Sequence, residues 1–410
     1  MNLLFILPHS PIPTNTGNKN LTFNLLKYLS NKISIDIIII EDLINKEKSI
    51  YEDIKIAFPN IKNIFIFEKN RKLKSLIYKL YFLIRGLHPA LGNFYCFKIS
   101  KWLKLNSHKY DLIHFDMFLV SPYISSVNNK PSLLVGHDAY TLTASLDSKY
   151  MNNYIDKFFV NYKKFLLQNI EKKYYKKFSQ IVCVSNIDSE YLIKKLNINK
   201  IKSIGIPIAD KLKERKINHH NNISINNNHP KLLITGNLDH PFIAKNICSF
   251  LKNILPEIIK KHPNIKTIIL GKNPIYFLKE QINKSHNVLH KNYVVDYFDY
   301  LDNDWIYIYP QKCGTGLQTK LQQALASGLP VIAYEVSYGG LQLTYEKNAF
   351  KVNEEKDFIK YIDKLIRDPN LRIEIGRQAT DYIRKSFSTR NIGFKYIDLY
   401  QSLIEKSKSK

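Results

Sequence analysis

The sequence predicts an α/β protein built from two doubly wound domains that face a central cleft. Short apolar runs alternate with longer helical patterns in both halves, and a polar, asparagine-rich segment separates the halves. Runs that are apolar throughout are typical of strands covered on both faces, and therefore of parallel sheets. The chain of 410 residues is long enough for two substantial domains. We predict domains at 1–210 and 231–385, a linker at 211–230, and a C-terminal helix at 386–410 that packs back toward the first domain.

The individual elements follow from these patterns in chain order. In the first half we predict a helix at 21–30 and strands at 2–7, 34–40, 63–67, 111–116, 132–138 and 180–185. In the second half we predict a helix near 243–261, a helical C-terminal segment, and strands at 231–236, 266–271, 305–310 and 331–335. This alternation is typical of βαβ units. Because ligands of such sheets bind beyond the carboxyl ends of the strands, the loops after 2–7, 231–236 and 305–310 are the candidate binding loops.

The charge balance is strongly basic. Lys and Arg number 61 against 35 for Asp and Glu, which gives a formal net charge of +26. This excess suits an anionic partner such as nucleic acid, anionic lipid or a phosphorylated substrate. The joint richness in Lys, Asn, Ile and Tyr is also what an AT-rich genome would produce. No nucleic-acid-binding motif is recognisable, so we expect no nucleic-acid partner.

The spacing of the cysteines favours a reducing compartment, and the hydropathy bears on how the protein could attach to a membrane. Four cysteines lie far apart and lack metal-ligand spacing: Cys96, Cys183, Cys248 and Cys313. Neither a zinc site nor a disulfide framework is indicated. No apolar run approaches the ~20 residues that a membrane span requires. We therefore expect a cytoplasmic protein, with peripheral attachment to the inner face of the cytoplasmic membrane as an option.

Two stretches bear on that option, since both 71–89 and 163–178 combine apolar with basic residues. Such a stretch can form a helix that lies on an anionic membrane. The alternative is a helix with a core-facing apolar side and a solvated basic side, which the sequence favours slightly for the second stretch.

The most informative segment is CGTGLQTKLQQALASGLPVI, at 313–332. Gly314 and Gly316 follow a predicted strand and permit close backbone approach and positive φ. An apolar helical face then begins at Leu317, and the N-terminus of such a helix attracts anions such as phosphate. Lys320 lies in the first turn and adds a cation. The alternative is a tight strand-to-helix turn that binds nothing.

This segment resembles the donor-site segment of GT-B fold glycosyltransferases, especially the retaining enzymes of family 4. The shared pattern, P-x-x-x-G-x-G-x-x-x-K-x-x-[E/Q]-A-x-A-x-G-x-P-V, runs from Pro310 to Val331. Four further segments resemble the family in the correct order: 6–20, 177–196, 235–274 and 294–310. The resemblance covers most of the chain. It implies a GT-B architecture of two Rossmann-like domains, with the acceptor side in 1–210 and the nucleotide-sugar donor side in 231–385.

The resemblance implies an enzyme that moves a sugar from a nucleotide-diphosphate sugar to a glycan or lipid-linked acceptor, with retention of configuration. A bacterial surface polysaccharide such as capsule or lipopolysaccharide is the expected product. The alternative is a non-catalytic GT-B relative that acts as a binding or scaffold subunit. No cofactor beyond the donor, and no metal, is expected. The Asp302-Asn303-Asp304 sequence resembles a D-x-D metal motif but is better interpreted as a turn before a strand.

The resemblance also assigns site residues. Lys320 and His137 are the candidate catalytic residues, the first for the diphosphate and the second for the donor sugar. A helix N-terminus with a cation can stabilise the leaving diphosphate as its charge grows. The remaining donor-binding candidates are Gly17, Gly236, Asn237, Lys245, Lys272, Gly314, Thr315, Gly316, Leu317 and Gln323. Two of these depart from the family, which usually has Glu for the ribose at Gln323 and in many members a second Glu at Thr315.

Overall fold

A computed structural model describes residues 1–14, 16–42, 47–127, 129–150, 153–208, 212, 230–292, 294, 297–301, 305–312 and 315–409. The chain divides into two compact units. The first comprises Met1–Pro207 together with Thr389–Lys410, and the second comprises Ile208–Ser388. The predicted linker at 211–230 lies almost entirely outside the described residues.

The first unit contains one parallel sheet of seven strands in the order β3-β2-β1-β4-β5-β6-β7. Its strands are β1 (Asn2–Leu7), β2 (Ser34–Glu41), β3 (Asn63–Glu68), β4 (Leu112–Asp116), β5 (Ser132–His137), β6 (Gln180–Cys183) and β7 (Ile201–Ser203). The interior residues of β1 and β2 are buried on both faces, because helices cover both sides of the sheet.

The helices of the first unit connect these strands. They are Gly17–Leu29, Glu47–Ala57, Lys72–Ile84, Leu91–Phe94, Phe97–Asn106, Tyr140–Tyr150, Tyr154–Tyr174, Asn186–Leu196 and Thr389–Lys408, with 3₁₀ turns at Ser107–Lys109, Phe118–Ser126 and Tyr175–Lys177. The last helix buries Tyr396 and Tyr400 within this unit. It also approaches the helix Gly17–Leu29 so closely that a Cβ on Gly393 would collide with the ring of Tyr28.

The second unit contains one parallel sheet of six strands in the order β10-β9-β8-β11-β12-β13. Its strands are β8 (Lys231–Thr235), β9 (Lys266–Leu270), β10 (Val288–Lys291), β11 (Trp305–Tyr309), β12 (Val331–Tyr334) and β13 (Phe350–Val352). Its helices are Pro241–Ser249, Leu255–Lys261, Tyr276–Lys284, Thr319–Ala326, Glu335–Tyr338, Glu355–Arg367 and Pro369–Ser386, with a 3₁₀ turn at Tyr297–Tyr300. A separate hydrophobic core forms around this sheet.

The predicted elements differ from the observed ones in a few places. The helix predicted at 21–30 begins earlier, at Gly17, because the Thr16 hydroxyl caps it by accepting from the Lys19 backbone N–H at 3.4 Å. The helix predicted near 243–261 begins at Pro241 and contains a π-helical turn at 250–254, where Pro256 cannot donate a backbone hydrogen bond. Three short edge strands, β7, β10 and β13, were not predicted.

The strand order places the ligand-binding edge of each sheet. In the first sheet the order reverses between β1 and β4, and in the second between β8 and β11. Doubly wound sheets bind ligands beyond the carboxyl ends of the strands at such a reversal. The loops that follow these four strands are therefore where functional side chains are to be sought.

No helix in the parts of the chain that the structure describes has the length and apolar character needed to cross a membrane.

Candidate active site

His137 is the last residue of β5 and lies at the binding edge of the first sheet. Its side chain is only 1% exposed and its backbone has φ of +57°. Nε2 lies 2.6 Å from Oδ1 of Asp116, at the carboxyl end of the neighbouring strand β4. The other ring nitrogen, Nδ1, is buried and has no hydrogen-bond partner in the described structure.

Asp116 links His137 to the first helix. Its second oxygen, Oδ2, accepts from the Thr22 hydroxyl at 2.5 Å. Burial alone would raise the pKa of Asp116, but the charge of His137 and the hydrogen bonds from His137 and Thr22 hold that pKa below its usual value. The Thr22–Asp116–His137 relay, as we call these three side chains, fixes the imidazole against β4 and the helix Gly17–Leu29.

The loop after β1 borders the same edge. His9 in this loop is partly buried, and burial lowers the pKa of its imidazole although Asp116 acts in the opposite direction. The backbone N–H of Ser10 donates to Oε2 of Glu41 at 2.9 Å, which ties the loop to the end of β2. Gly17, a predicted donor-binding residue, is the first residue of the following helix and is partly exposed.

His114 is buried inside the first unit. It stacks on Phe5 with ring centroids 4.1 Å apart, and its Nδ1 lies 2.7 Å from the Tyr400 hydroxyl. Burial lowers the pKa of His114 to about 3, so this ring is neutral at ordinary pH. Asp138 adds a carboxyl whose pKa is raised to about 6, mainly by burial and also by Asp188.

In the second unit, the glycine loop (residues 310–318) connects β11 to the helix Thr319–Ala326. Gly314 lies outside the described residues. Gly316 has φ of +71°, which favours glycine, and a Cβ on Gly339 would collide with the Gly316 carbonyl oxygen. The backbone at Gly316 is therefore packed closely against Gly339.

Two side chains of the glycine loop hold it against the sheet. Leu317 lies before the start of the helix, and its buried side chain anchors the loop. Gln318 accepts from the Tyr309 hydroxyl at 2.8 Å and donates to the Thr315 carbonyl at 3.0 Å. The Thr315 side chain is half-buried. These contacts set the position of the helix that follows.

Lys320 is the second residue of that helix and projects from its first turn. The Lys320 side chain is exposed. Neighbouring protein atoms nevertheless reduce the hydration of its ammonium group, which lowers the pKa of Lys320. Among the described residues, no charged neighbour contributes to this shift. Gln323 lies three residues on and is partly exposed, so both side chains lie on one helix face. A cation and an amide thus lie beside the positive end of a helix dipole.

Lys312, at the start of the glycine loop, contrasts with Lys320. Its ammonium lies 2.9 Å from Oε1 of Glu355, and this hydrogen bond raises the pKa of Lys312. Glu355 also accepts from Ser249 at 3.1 Å. Lys312 is therefore committed to a structural ion pair, which leaves Lys320 as the better cation for a ligand.

The loop after β8 contains Gly236 and Asn237. Gly236 is buried, and its N–H donates to the Leu270 carbonyl at 3.2 Å. The neighbouring loop packs so tightly that a Cβ on Gly271 would meet the Gly236 carbonyl oxygen at 2.5 Å. Asn237 is exposed.

The two predicted lysines near this loop, Lys245 and Lys272, are both exposed side chains. Lys245 lies on the helix Pro241–Ser249, and Lys272 follows β9.

Sequence reasoning missed an amide pair that joins the helix after β8 to the glycine loop. Asn246, on the helix after β8, donates to Oε1 of Gln311 at 3.1 Å, and both side chains are buried. The backbone carbonyl of Gln311 accepts a hydrogen bond from the Ser337 hydroxyl at 2.8 Å. A buried Asn on an otherwise apolar helix face was the available signal, because a buried amide requires a partner.

Among the described residues, no group of three or more His, Cys, Asp or Glu side chains is arranged to hold a metal ion. The Asp302-Asn303-Asp304 sequence lies outside the described residues. Cys96, Cys183 and Cys248 are free thiols, and Cys313 is not among the described residues.

The two parallel sheets, their strand orders and the glycine loop before a helix define the GT-B fold, and solved structures agree. Sucrose-phosphate synthase from Thermosynechococcus elongatus superposes with a TM-score of 0.66 at 15% identity, over 99% of this chain and 100% of that chain. HepE from Anabaena, in complex with UDP, gives a TM-score of 0.63 at 13% identity, over 98% of this chain and 100% of that chain. The predicted fold class is confirmed.

The family is indicated by the second unit. A family model described as "Glycosyl transferases group 1" matches residues 229–368. This match confirms the predicted class of enzyme, a glycosyltransferase, for that domain. An "Uncharacterized 44.6 kDa protein in cps region" of Klebsiella pneumoniae is 22% identical over 195 residues, 46% of this chain and 48% of that protein. The match thus spans about half the length of this curated relative.

Proposed function

We propose that this protein transfers a sugar from a nucleotide-diphosphate sugar to a glycan or lipid-linked acceptor, with the retaining chemistry of family 4. The observation that carries the proposal is the position of Lys320. Among the described residues no carboxylate neighbours this cation, which lies in the first turn of the helix that follows the glycine loop at the carboxyl end of β11. Oriented N–H groups and a nearby cation are the features that bind a diphosphate and stabilise the charge of its departure.

The other predicted residues are assigned to separate parts of the donor. We assign Gln323 to the ribose hydroxyls, because an amide can both accept and donate a hydrogen bond. Contacts with the nucleotide and diphosphate are assigned to Gly17, Gly236, Asn237, Lys245, Lys272, Gly314, Thr315, Gly316 and Leu317. His137 is assigned to the donor sugar, since it ends β5 at the carboxyl edge of the first sheet.

The donor, the pathway and the location are also proposals. HepE was solved with UDP and with UDP-glucose, which supports a uridine donor here. The relative from a cps region supports a role in surface polysaccharide synthesis, with capsule as the first product to test. We propose that the protein works in the cytoplasm, where nucleotide sugars are available, at the inner face of the membrane that holds a lipid-linked acceptor.

Nucleotide binding and donor hydrolysis together test this function. UDP at 100 times its Kd should stabilise the protein by about 2.7 kcal/mol, visible as a rise in Tm. Slow hydrolysis of UDP-sugars in the absence of an acceptor should identify the sugar. If neither UDP nor GDP changes Tm, the nucleotide-sugar proposal is wrong. Binding without hydrolysis or transfer would favour the scaffold alternative, which the neutral residues Thr315 and Gln323 suggest.

Gln323→Glu is expected to tighten nucleotide binding by about three- to tenfold. A carboxylate accepts hydrogen bonds from ribose hydroxyls more strongly than a neutral amide does. Calorimetric titration with UDP measures the change, and Gln342→Glu, an exposed site in the same unit, serves as the control. Equal affinities for the variant and the wild type would remove Gln323 from the ribose contact.

Removal of divalent metal is expected to leave transfer activity within about twofold, because Lys320 and the helix N-terminus supply the positive charge that a metal would otherwise supply. The measurement compares initial rates before and after EDTA treatment and gel filtration. Loss of activity that Mn²⁺ or Mg²⁺ restores would show that this mechanism is wrong.

A further inference from the structure

The helix Lys72–Ile84 exposes an apolar stripe. Leu73, Ile77, Leu80 and Ile84 recur at three- and four-residue intervals and are all exposed, Ile84 by 84%. Phe82 and Ser75 face the opposite way and are buried. This helix therefore buries its small face in the protein and presents its larger apolar face to the outside. The sequence alternative, in which the apolar face contacts the core, is wrong for this helix.

Basic residues flank this stripe, and the helix contains no acidic residue. Lys72 and Lys74 are exposed at its N-terminal end, and Arg85 follows its C-terminal end. The Arg85 guanidinium lies over the Tyr81 ring, 4.1 Å from the centroid. An apolar face with flanking cations and an aromatic ring is the composition of a helix that lies in a membrane interface.

The helix Tyr154–Tyr174 carries a second exposed apolar face, in its N-terminal half. This face is mostly aromatic, and Tyr154 is 89% exposed. Its members are Tyr154, Ile155, Phe158, Phe159, Tyr162 and Phe165. The C-terminal half is different, because Leu166, Leu167 and Ile170 are buried in the core. The predicted stretch 163–178 is thus mainly core-facing, and the exposed face lies before it.

The two helices meet in the first unit. The Asn169 side chain donates to the Gly86 carbonyl at 2.8 Å, just beyond the end of the helix Lys72–Ile84. Arg85 and Lys177 both act on Lys173 and, with burial, lower its pKa, so cations of both segments gather at this junction. Such a cluster of like charges is stabilised by an anionic partner.

We propose that the exposed apolar faces of the helices Lys72–Ile84 and Tyr154–Tyr174 dock the first unit onto an anionic lipid bilayer. We call these two helices the docking helices. They contain more than half of the large exposed hydrophobic side chains among the described residues. Apolar side chains enter the boundary between headgroups and acyl chains, while the flanking lysines and arginines contact lipid phosphates.

A bilayer fits these observations better than a second protein does. The cations lie beside the apolar stripe and at the helix junction, so they match a plane of negative charge next to an apolar layer. Single exposed apolar residues need no explanation, but an exposed apolar face along a helix does, and two helices of the first unit carry one. The inference deepens the proposed membrane location by naming its surface, and it does not require the transferase activity.

Vesicle binding by the full chain tests the proposal. Wild-type protein is expected to float with vesicles of phosphatidylglycerol and phosphatidylcholine at low salt, and weakly or not at all with pure phosphatidylcholine. The double variants Ile77→Glu/Ile84→Glu and Phe158→Glu/Phe159→Glu should each reduce the bound fraction by about tenfold or more, because they place charge in the apolar layer. About 0.5 M salt should weaken binding of the wild type.

Two matched variants serve as controls. Ile56→Glu changes a side chain that is 81% exposed on another helix of the first unit, and Tyr276→Glu changes an exposed aromatic side chain of the second unit. Both should bind vesicles within about twofold of the wild type. The UDP-induced rise in Tm should be the same in all variants, which separates a failure of docking from a failure of the proposed function.

Three outcomes would overturn the proposal. The first is absence of wild-type binding to anionic vesicles, and the second is equal binding to neutral vesicles. The third is a wild-type dimer in sedimentation velocity that both double variants convert to monomer without any vesicle binding, which would make the docking helices a contact between two copies of the chain.

Discussion

Lys320→Ala is expected to reduce sugar transfer by about 10²- to 10³-fold, the range seen when one preorganised donor to a developing negative charge is removed. The free energy of unfolding should change by less than about 0.5 kcal/mol, because the side chain is exposed and none of the described carboxylates pairs with it. The two effects are measured by initial rates at saturating donor and by urea unfolding.

The mechanism also predicts how the kinetic constants divide. A charge that interacts mainly with the departing diphosphate should lower kcat and kcat/KM together, while the donor Kd changes less. Lys320→Arg should restore part of the rate, since the positive charge is kept but its geometry changes.

Lys356→Ala is a suitable control for Lys320→Ala. Lys356 is likewise the second residue of a helix in the second unit, Glu355–Arg367, and is likewise exposed. Its ion pair with Glu354 lies on the surface and should contribute little to stability. If Lys320→Ala showed the same wild-type kinetics as Lys356→Ala, Lys320 would be excluded from the mechanism.

The central strands could be predicted from the sequence because burial on both faces leaves a long apolar run. The run SIDIIIIE became β2, in which Ile37 to Ile40 are all buried. Edge strands lack this signal. β10 is only partly buried along VLHK, and β7 has three residues, so neither differs from a loop in composition. Their pairing comes from the strand beside them, which local sequence does not show.

The candidate site was predictable to different degrees in the two units. The glycine loop and Lys320 lie within one short segment, so spacing alone indicated an anion site there. The Thr22–Asp116–His137 relay joins residues 94 and 21 positions apart, and only the order of the strands brings them together. A weaker signal existed, because Asp116 ends one predicted strand, His137 is the penultimate residue of another, and parallel strands end at a common edge.

The docking helices show a further limit of sequence patterns. An amphipathic helix has the same residue spacing whether its apolar face contacts a core or remains outside. In the helix Lys72–Ile84 the buried side is small, with Phe82 at its centre, and the larger apolar side is left exposed. Only the packing of the neighbouring elements distinguishes these two cases.

Asp116→Asn is expected to lower the free energy of unfolding by about 2 kcal/mol at pH 7, in the range measured for hydrogen bonds to a charged group. The amide has the shape of the carboxylate, so no cavity forms, but the attraction to His137 and the strong acceptor for Thr22 are lost. Urea unfolding measures the change. Asp53→Asn, at an exposed carboxylate of the same unit, should change the free energy by less than about 0.5 kcal/mol.

The pH dependence of this loss follows from the direction of the pKa shift. The pKa of Asp116 is lowered in the folded protein, so its contribution to stability is present above the ordinary pKa of about 3.9 and disappears as the pH falls through the lower folded value. The difference between wild type and Asp116→Asn should therefore be largest near neutral pH and shrink below about pH 4. A difference that stayed constant down to pH 2 would mean that the carboxylate charge is not what stabilises the relay.

Activity distinguishes a purely structural relay from one that positions the imidazole. If His137 contacts the donor sugar, Asp116→Asn should lower kcat under conditions where the variant is folded, because the ring loses the partner that fixes its orientation and tautomer. Thr22→Val removes only one hydrogen bond to Asp116 and should cost about 1 kcal/mol of stability, with a smaller loss of kcat. If folded Asp116→Asn kept the full kcat, the relay would contribute only to the stability of the first unit. The orientation of His137 would then have no part in the mechanism.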